Sequence, residues 1–140
     1  MNRVIKISGW LAIGFFIASA LAIFPGAAAA QTLDIRIQSD TGGSPPGELM
    51  LIDPSGDRTG PEDMEIHRRN PMSGLYNLRV SGLKTGVYTL FLKAYSASGS
   101  TSDVRFPHMN IKDGEIHHYD VNFSAEGPKL DVRRTRVTPE

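Results

Sequence analysis

"SGLYNLRVSGLKTGVYTLFLKAYSASG", residues 73–99, is the most regular stretch of the chain. Tyr76, Leu78 and Val80 share one parity; Asn77, Arg79 and Ser81 share the other. Period two marks a strand with one buried face. After "SGLKTG" the alternation resumes, with Tyr88, Leu90, Leu92 and Ala94 as the next apolar row. Two such runs joined by a glycine-bearing link predict a β-hairpin. The second run departs from the pattern on its other side, where Val87, Thr89, Phe91, Lys93 and Tyr95 form an unusually apolar outward row. Val87, Phe91 and Tyr95 span a line of about 25 Å at ~3.3 Å per residue.

The rest of the chain repeats the strand signal. In "TLDIRIQ", residues 32–38, Leu33, Ile35 and Ile37 share one face. "SDTGGSPPG" is a loop, "ELMLI" (48–52) is a short strand, and "DPSGD" (53–57) is a turn with Asp at i, Pro at i+1 and Gly at i+3. "MEIHR" reads as a short strand with Met64 and Ile66 facing inward. "DVRFPHMNI" is strand-like, but Pro107 has no N–H to donate, so an edge strand or a bulge is expected there. "KDGE" reads as a hairpin turn, and "IHHYDVNF" follows with Tyr119, Val121 and Phe123 on one face. Leu130 and Val132 suggest a last short strand before a frayed "RRTRVTPE". No helical periodicity follows Gln31. Short strands with frequent turn signals predict an all-β, antiparallel sandwich of about seven strands, immunoglobulin-like or prealbumin-like.

Residues 1–30 read as a signal peptide. Arg3 and Lys6 precede "WLAIGFFIASALAIF", which has no charge; Pro25 and Gly26 break the helix; Ala28 and Ala30 fit the small-x-small cleavage pattern, which places cleavage before Gln31. The rival is an uncleaved anchor, which would be the chain's one membrane contact, but a spanning helix needs about 20 apolar residues. With no cysteine in the chain, a lipid-anchored N-terminus, a disulfide and thiolate chemistry are all excluded. The expected organisation is a leader (1–30), a sandwich domain (31–128) and a basic tail (129–140), in a periplasmic or secreted protein. Removing Arg3 and Lys6 from 15 basic residues leaves 13 against 15 acidic ones, a net of −2, which gives no footing for nucleic-acid binding.

"ELMLIDPSGDRTG", "GLYNLRVSGLKTGVYTLFLKA" and "IKDGEIHHYDVNF" resemble the small accessory β-sandwich modules of bacterial exported proteins, the pre-peptidase C-terminal-like and carboxypeptidase regulatory-like groups. The most specific element is carried by Gly74, Tyr76, Leu78, Val80, Gly82, Gly86, Tyr88 and Leu90. The resemblance implies a sandwich fold and an extracytoplasmic accessory role.

Three functions follow. The first is a non-catalytic module that binds another exported protein or a second copy of itself, or a carbohydrate, through Val87, Phe91 and Tyr95, since aromatic residues dominate interface hot spots. The competing reading of that row is a cover of loop or C-terminal segment, because small domains rarely expose large apolar patches. The second function is metal handling through His67, His108, Met109 and His118, or His117 in place of His118. His117 and His118 are adjacent on a strand and point to opposite faces, and no zinc spacing such as HExxH is present. Asp53, Ser55 and Asp57 have the alternate spacing of oxygen ligands for calcium, but lie in an ordinary Asp-Pro-x-Gly turn without a terminal Glu. The third is a small hydrolase with an unrecognised site, for which no G-x-S-x-G elbow or phosphate loop speaks. The main expectation is the first, with no enzyme activity and no cofactor.

Overall fold

The computed structural model describes residues 31–127 and 129–139, and for residues 61–63 the backbone only. The leader expected at residues 1–30, with its expected cleavage point, lies outside the described residues. Nine strands form in chain order: β1 (Thr32–Ser39), β2 (Gly47–Ile52), β3 (Arg58–Asp63), β4 (Glu65–Arg69), β5 (Gly74–Gly82), β6 (Gly86–Tyr95), β7 (Thr101–Ile111), β8 (Glu115–Ser124) and β9 (Lys129–Pro139). They pair antiparallel in two sheets, one ordered β4-β1-β6-β7 and the other β3-β2-β5-β8-β9. The described residues contain no helix, and so none long and apolar enough to cross a membrane.

The inward rows read from the sequence are the core. Leu33, Ile35, Leu90, Leu92 and Ala94 from the four-stranded sheet meet Leu49, Leu51, Leu78, Val80 and Val121 from the five-stranded sheet, all essentially without solvent contact. Fully burying one such side chain stabilises by about 1.5–3 kcal/mol, which is how a domain without disulfides holds together.

Five expectations need correction. The strands number nine rather than about seven. Residues 73–99 do not form a hairpin, because β5 pairs with β2 and β8 while β6 pairs with β1 and β7. The link between them is an arch from one sheet to the other. Both runs present large apolar rows, and such rows bury each other best face to face across a core rather than side by side. The arch is tied to neighbours: the Leu83 and Lys84 amides donate to Pro46 O at 2.8 and 3.2 Å. At Gly82 a Cβ would lie 2.2 Å from Lys112 O, so the chain passes too close there for any side chain. The turn at residues 112–114 likewise joins β7 of one sheet to β8 of the other and is no hairpin.

The short strand expected at Leu130 and Val132 does not give way to a frayed tail but runs on as β9 over residues 129–139, paired with β8 along its length from Ser124↔Lys129 to Glu115↔Pro139. An edge strand needs few apolar residues, and here Leu130 is buried while Val132 packs against the core. Met64 does not face inward; it sits between β3 and β4 and is exposed, whereas Ile66 is buried as expected. The expected irregularity at Pro107 is present. Strand β7 is an edge, and its register shifts so that Pro107 and His108 together oppose Thr89. A second bulge on β3 turns at Gly60 (φ +98°), where a Cβ would lie 2.2 Å from Leu49 O.

Candidate functional site

The outer face of the four-stranded sheet is set by its register. Arg36 of β1 and Arg105 of β7 stand directly opposite Phe91 of β6, one on each side. Their guanidinium carbons lie 4.4 and 5.9 Å from the ring centroid, within the range of cation–π attraction. Lys93 lies over the Tyr95 ring at 5.3 Å and pairs with Asp103 at 3.9 Å. Val87, Phe91 and Tyr95 are therefore half-buried, with cationic side chains rather than a loop or β9 against the two rings.

The β7 bulge builds the neighbouring feature. His108 takes a left-handed backbone conformation (φ 55°), uncommon for a residue with a side chain, and this turns its imidazole toward the loop after β1. There His108 Nδ1 lies 2.6 Å from Asp40 Oδ2, and the Thr89 hydroxyl donates to Asp40 Oδ1 at 2.6 Å. The Asp40 amide donates to Val87 O at 3.0 Å, so backbone and side chain both fix this carboxylate. The Thr89 hydroxyl, then His108, hold the Asp40 carboxyl below its ordinary range. Between Asp40, Thr89, Phe91, Arg105 and His108 lies an open hollow of about 560 Å³. The His108 side chain is 80% exposed over it. With Nδ1 held by Asp40, Nε2 faces outward as the group free to act. Ser39 Oγ and Thr41 Oγ1 line the same hollow but hydrogen-bond each other at 3.2 Å. Among the described residues no hydroxyl is hydrogen-bonded to His108.

Of the residues singled out by sequence, Val87, Phe91 and His108 meet in this hollow, although they were chosen for different roles. Tyr95 belongs to the same row about 13 Å further along β6 at ~3.3 Å per residue. Asp40, Thr89 and Arg105 were missed. Asp40 looked like loop punctuation, and its partner lies 68 residues away.

The proposed metal ligands are not brought together. His67 is on β4, hydrogen-bonded to Asp34, and His108 is on β7, at the opposite edge of the same sheet. Met109 packs against the core, and His118 belongs to the outer face of the other sheet. Among the described residues no three His, Asp or Glu side chains are grouped to hold a metal. The Asp53 and Ser55 oxygen atoms of the calcium reading are engaged within the protein. Asp53 Oδ1 accepts from the Ser55 hydroxyl (2.6 Å), the Ser55 amide (2.9 Å) and the Asp57 amide (3.0 Å), while Oδ2 is 3.1 Å from Arg68 of the other sheet. These bonds, the Ser55 hydroxyl first, hold the Asp53 pKa down at about 2. The group is a turn staple and a link between sheets.

A buried polar chain also escaped the sequence reading. Tyr88 Oη lies 2.7 Å from both Tyr119 Oη and His117 Nδ1, and His117 Nε2 lies 3.3 Å from Glu115 Oε1. Burial pushes both tyrosines up and His117 down. The available signal was parity, which gives Tyr88, His117 and Tyr119 to inward rows.

No family model matches the chain, and neither the curated proteins nor the solved structures compared with it gave a match.

Proposed function

We propose that this chain is an exported, non-catalytic binding module that engages another exported protein or a second copy of itself through the outer face of the four-stranded sheet. The observation that carries this reading is Phe91, half-buried between Arg36 and Arg105 beside the hollow at Asp40 and His108. Aromatic and arginine side chains are the residues most enriched in binding hot spots. Here the rings and guanidinium groups already hold one another, so little side-chain freedom is lost on docking. The module is of the immunoglobulin-like or prealbumin-like kind, in the role of the accessory sandwiches it resembles. Tyr76 supports the former: at the start of β5 its hydroxyl donates back to Met72 O at 2.7 Å, a device found in immunoglobulin-like sandwiches.

The test is a photo-crosslinking amino acid placed at position 91 or 87, and at Asn122 on the other sheet as control, in the full chain within its host. A discrete adduct from 91 and 87 but not from 122 is expected. No adduct at any position, or equal adducts at all three, overturns the reading.

The Asp40–His108 pair favours one second reading, a small hydrolase in which the oriented imidazole acts as a base on water. Turnover in a broad hydrolase panel that is lost in His108→Ala would replace the binding reading.

A further inference from the structure

Across the outer face of the five-stranded sheet, Arg79 of β5, His118 of β8 and Arg136 of β9 stand directly opposite one another in a single row. Neighbouring strands are ~4.8 Å apart, so the two arginine backbones flank the imidazole at about 10 Å from each other. The nearest acid of β8 on that face, Asp120, stands opposite yet another cation, Arg133. Arg79 Nε donates to Asn77 Oδ1 at 3.2 Å, which leaves its two terminal nitrogens for a ligand.

His118 supplies the independent observation. It is only 5% exposed, and its Nε2 lies 3.1 Å from Thr138 Oγ1. Its Nδ1 is buried with no hydrogen-bond partner among the described residues. A ring nitrogen shut away from water calls for an explanation, and a bound ion is one of the few available. With Nε2 accepting from the Thr138 hydroxyl, the ring proton sits on Nδ1, an unused donor on a ring flanked in register by Arg79 and Arg136.

We propose that this row binds a tetrahedral oxyanion of the phosphate type, either free or as a phosphomonoester on a lipid headgroup. The guanidinium forks close on the anion from β5 and β9, each offering paired N–H donors that match its oxygens. The long arginine stems swing outward as they do so, and His118 Nδ1–H becomes the third donor. The site lies on the face opposite Phe91 and does not depend on the binding reading above.

The test titrates the full chain with inorganic phosphate at constant ionic strength and follows the His118 side-chain nitrogen resonances. A second arm floats the protein on phosphatidylcholine vesicles with and without phosphatidic acid. Saturable shifts with a Kd below about 1 mM, weakened about tenfold or more by Arg79→Gln with Arg136→Gln, establish the site for the free anion. Flotation on phosphatidic acid alone, lost in the same variant, assigns it to the headgroup. Saturation in neither arm, or equal binding by the double variant, overturns the proposal. If the double variant loses its fold, Arg136→Gln alone, on the edge strand, carries the comparison. Phe91→Ser leaves either signal intact, so failure here is distinct from failure at the other face.

Discussion

The Tyr88 hydroxyl lies 2.7 Å from His117 Nδ1, and through this bond the centre of the four-stranded sheet is tied to the five-stranded sheet inside the core. One tautomer satisfies every group: Tyr119 donates to Tyr88, Tyr88 donates to Nδ1, and Nε2–H donates to Glu115.

Tyr88→Phe breaks the middle of that chain and leaves His117 Nδ1 and the Tyr119 hydroxyl short of a partner. The expected loss is about 1–3 kcal/mol, read as a lower urea midpoint with an unchanged slope. Tyr119→Phe costs less, because Tyr88 keeps its bond to His117.

The two buried histidines make stability depend on pH. Burial lowers His117 despite the opposing pull of Glu115 and aided by Arg134; burial, then Arg136 and Arg79, lowers His118 against Asp120. The folded state therefore binds protons less readily than the unfolded chain, whose imidazoles titrate near 6.5. Their contribution is complete above that pH and shrinks as pH falls through the lowered folded values. Urea unfolding at several pH values between neutral and mildly acid should show this slope, and His117→Gln should reduce it.

Asp53 acts in a lower window. Its carboxyl is depressed from 3.8 to about 2, so its contribution is present above the first value and lost as pH falls through the second. Asp53→Asn should flatten the acid limb between those values. Calcium should leave the thermal midpoint of the parent protein unchanged, since both carboxylate oxygens are already engaged by Ser55, Asp57 and Arg68. A midpoint that climbs with added calcium would reinstate the calcium site.

Gly60→Ala combines an unfavourable φ with a contact no side chain tolerates at Leu49 O. It should destabilise by more than about 1 kcal/mol, measured by chemical denaturation. Gly42→Ala is the comparison: φ is also positive there, but the space around it is open, so only the backbone strain remains.

If the protein is exported as proposed, intact mass of the product recovered from its host should correspond to a chain beginning at Gln31. Retention of Met1 on a membrane-bound product would favour the uncleaved anchor.

Alternation gave strands and their inward faces directly, because period two leaves no other way to bury Leu78, Val80, Leu90 and Leu92. Partner choice was not legible. A three-residue link of Leu83, Lys84 and Thr85 suits a hairpin as well as an arch, and what decides is Pro46 and Lys112 packing around it from elsewhere in the chain. The full length of strand β9 was hidden by its polarity, since an edge strand can bury one side with Leu130 and Val132 alone. At the candidate site, Phe91 was visible as an apolar residue on an outward row, and His108 as a possible metal ligand. Their meeting was not, because it depends on the left-handed turn of His108 within the bulge and on Asp40, a contact spanning 68 positions.

The arch between β5 and β6 is one of five links, out of eight, that carry the chain from one sheet to the other; only β2–β3, β6–β7 and β8–β9 are joined as neighbours. Those three pairs can zip locally, but β1 and β5 find their partners only after long stretches of chain have been gathered in. Such topologies reach the native state in about milliseconds to seconds, far more slowly than helical bundles. A newly made copy therefore stays loose and threadable for longer than most chains of its length, and its open strands must be kept apart from one another until the last closure.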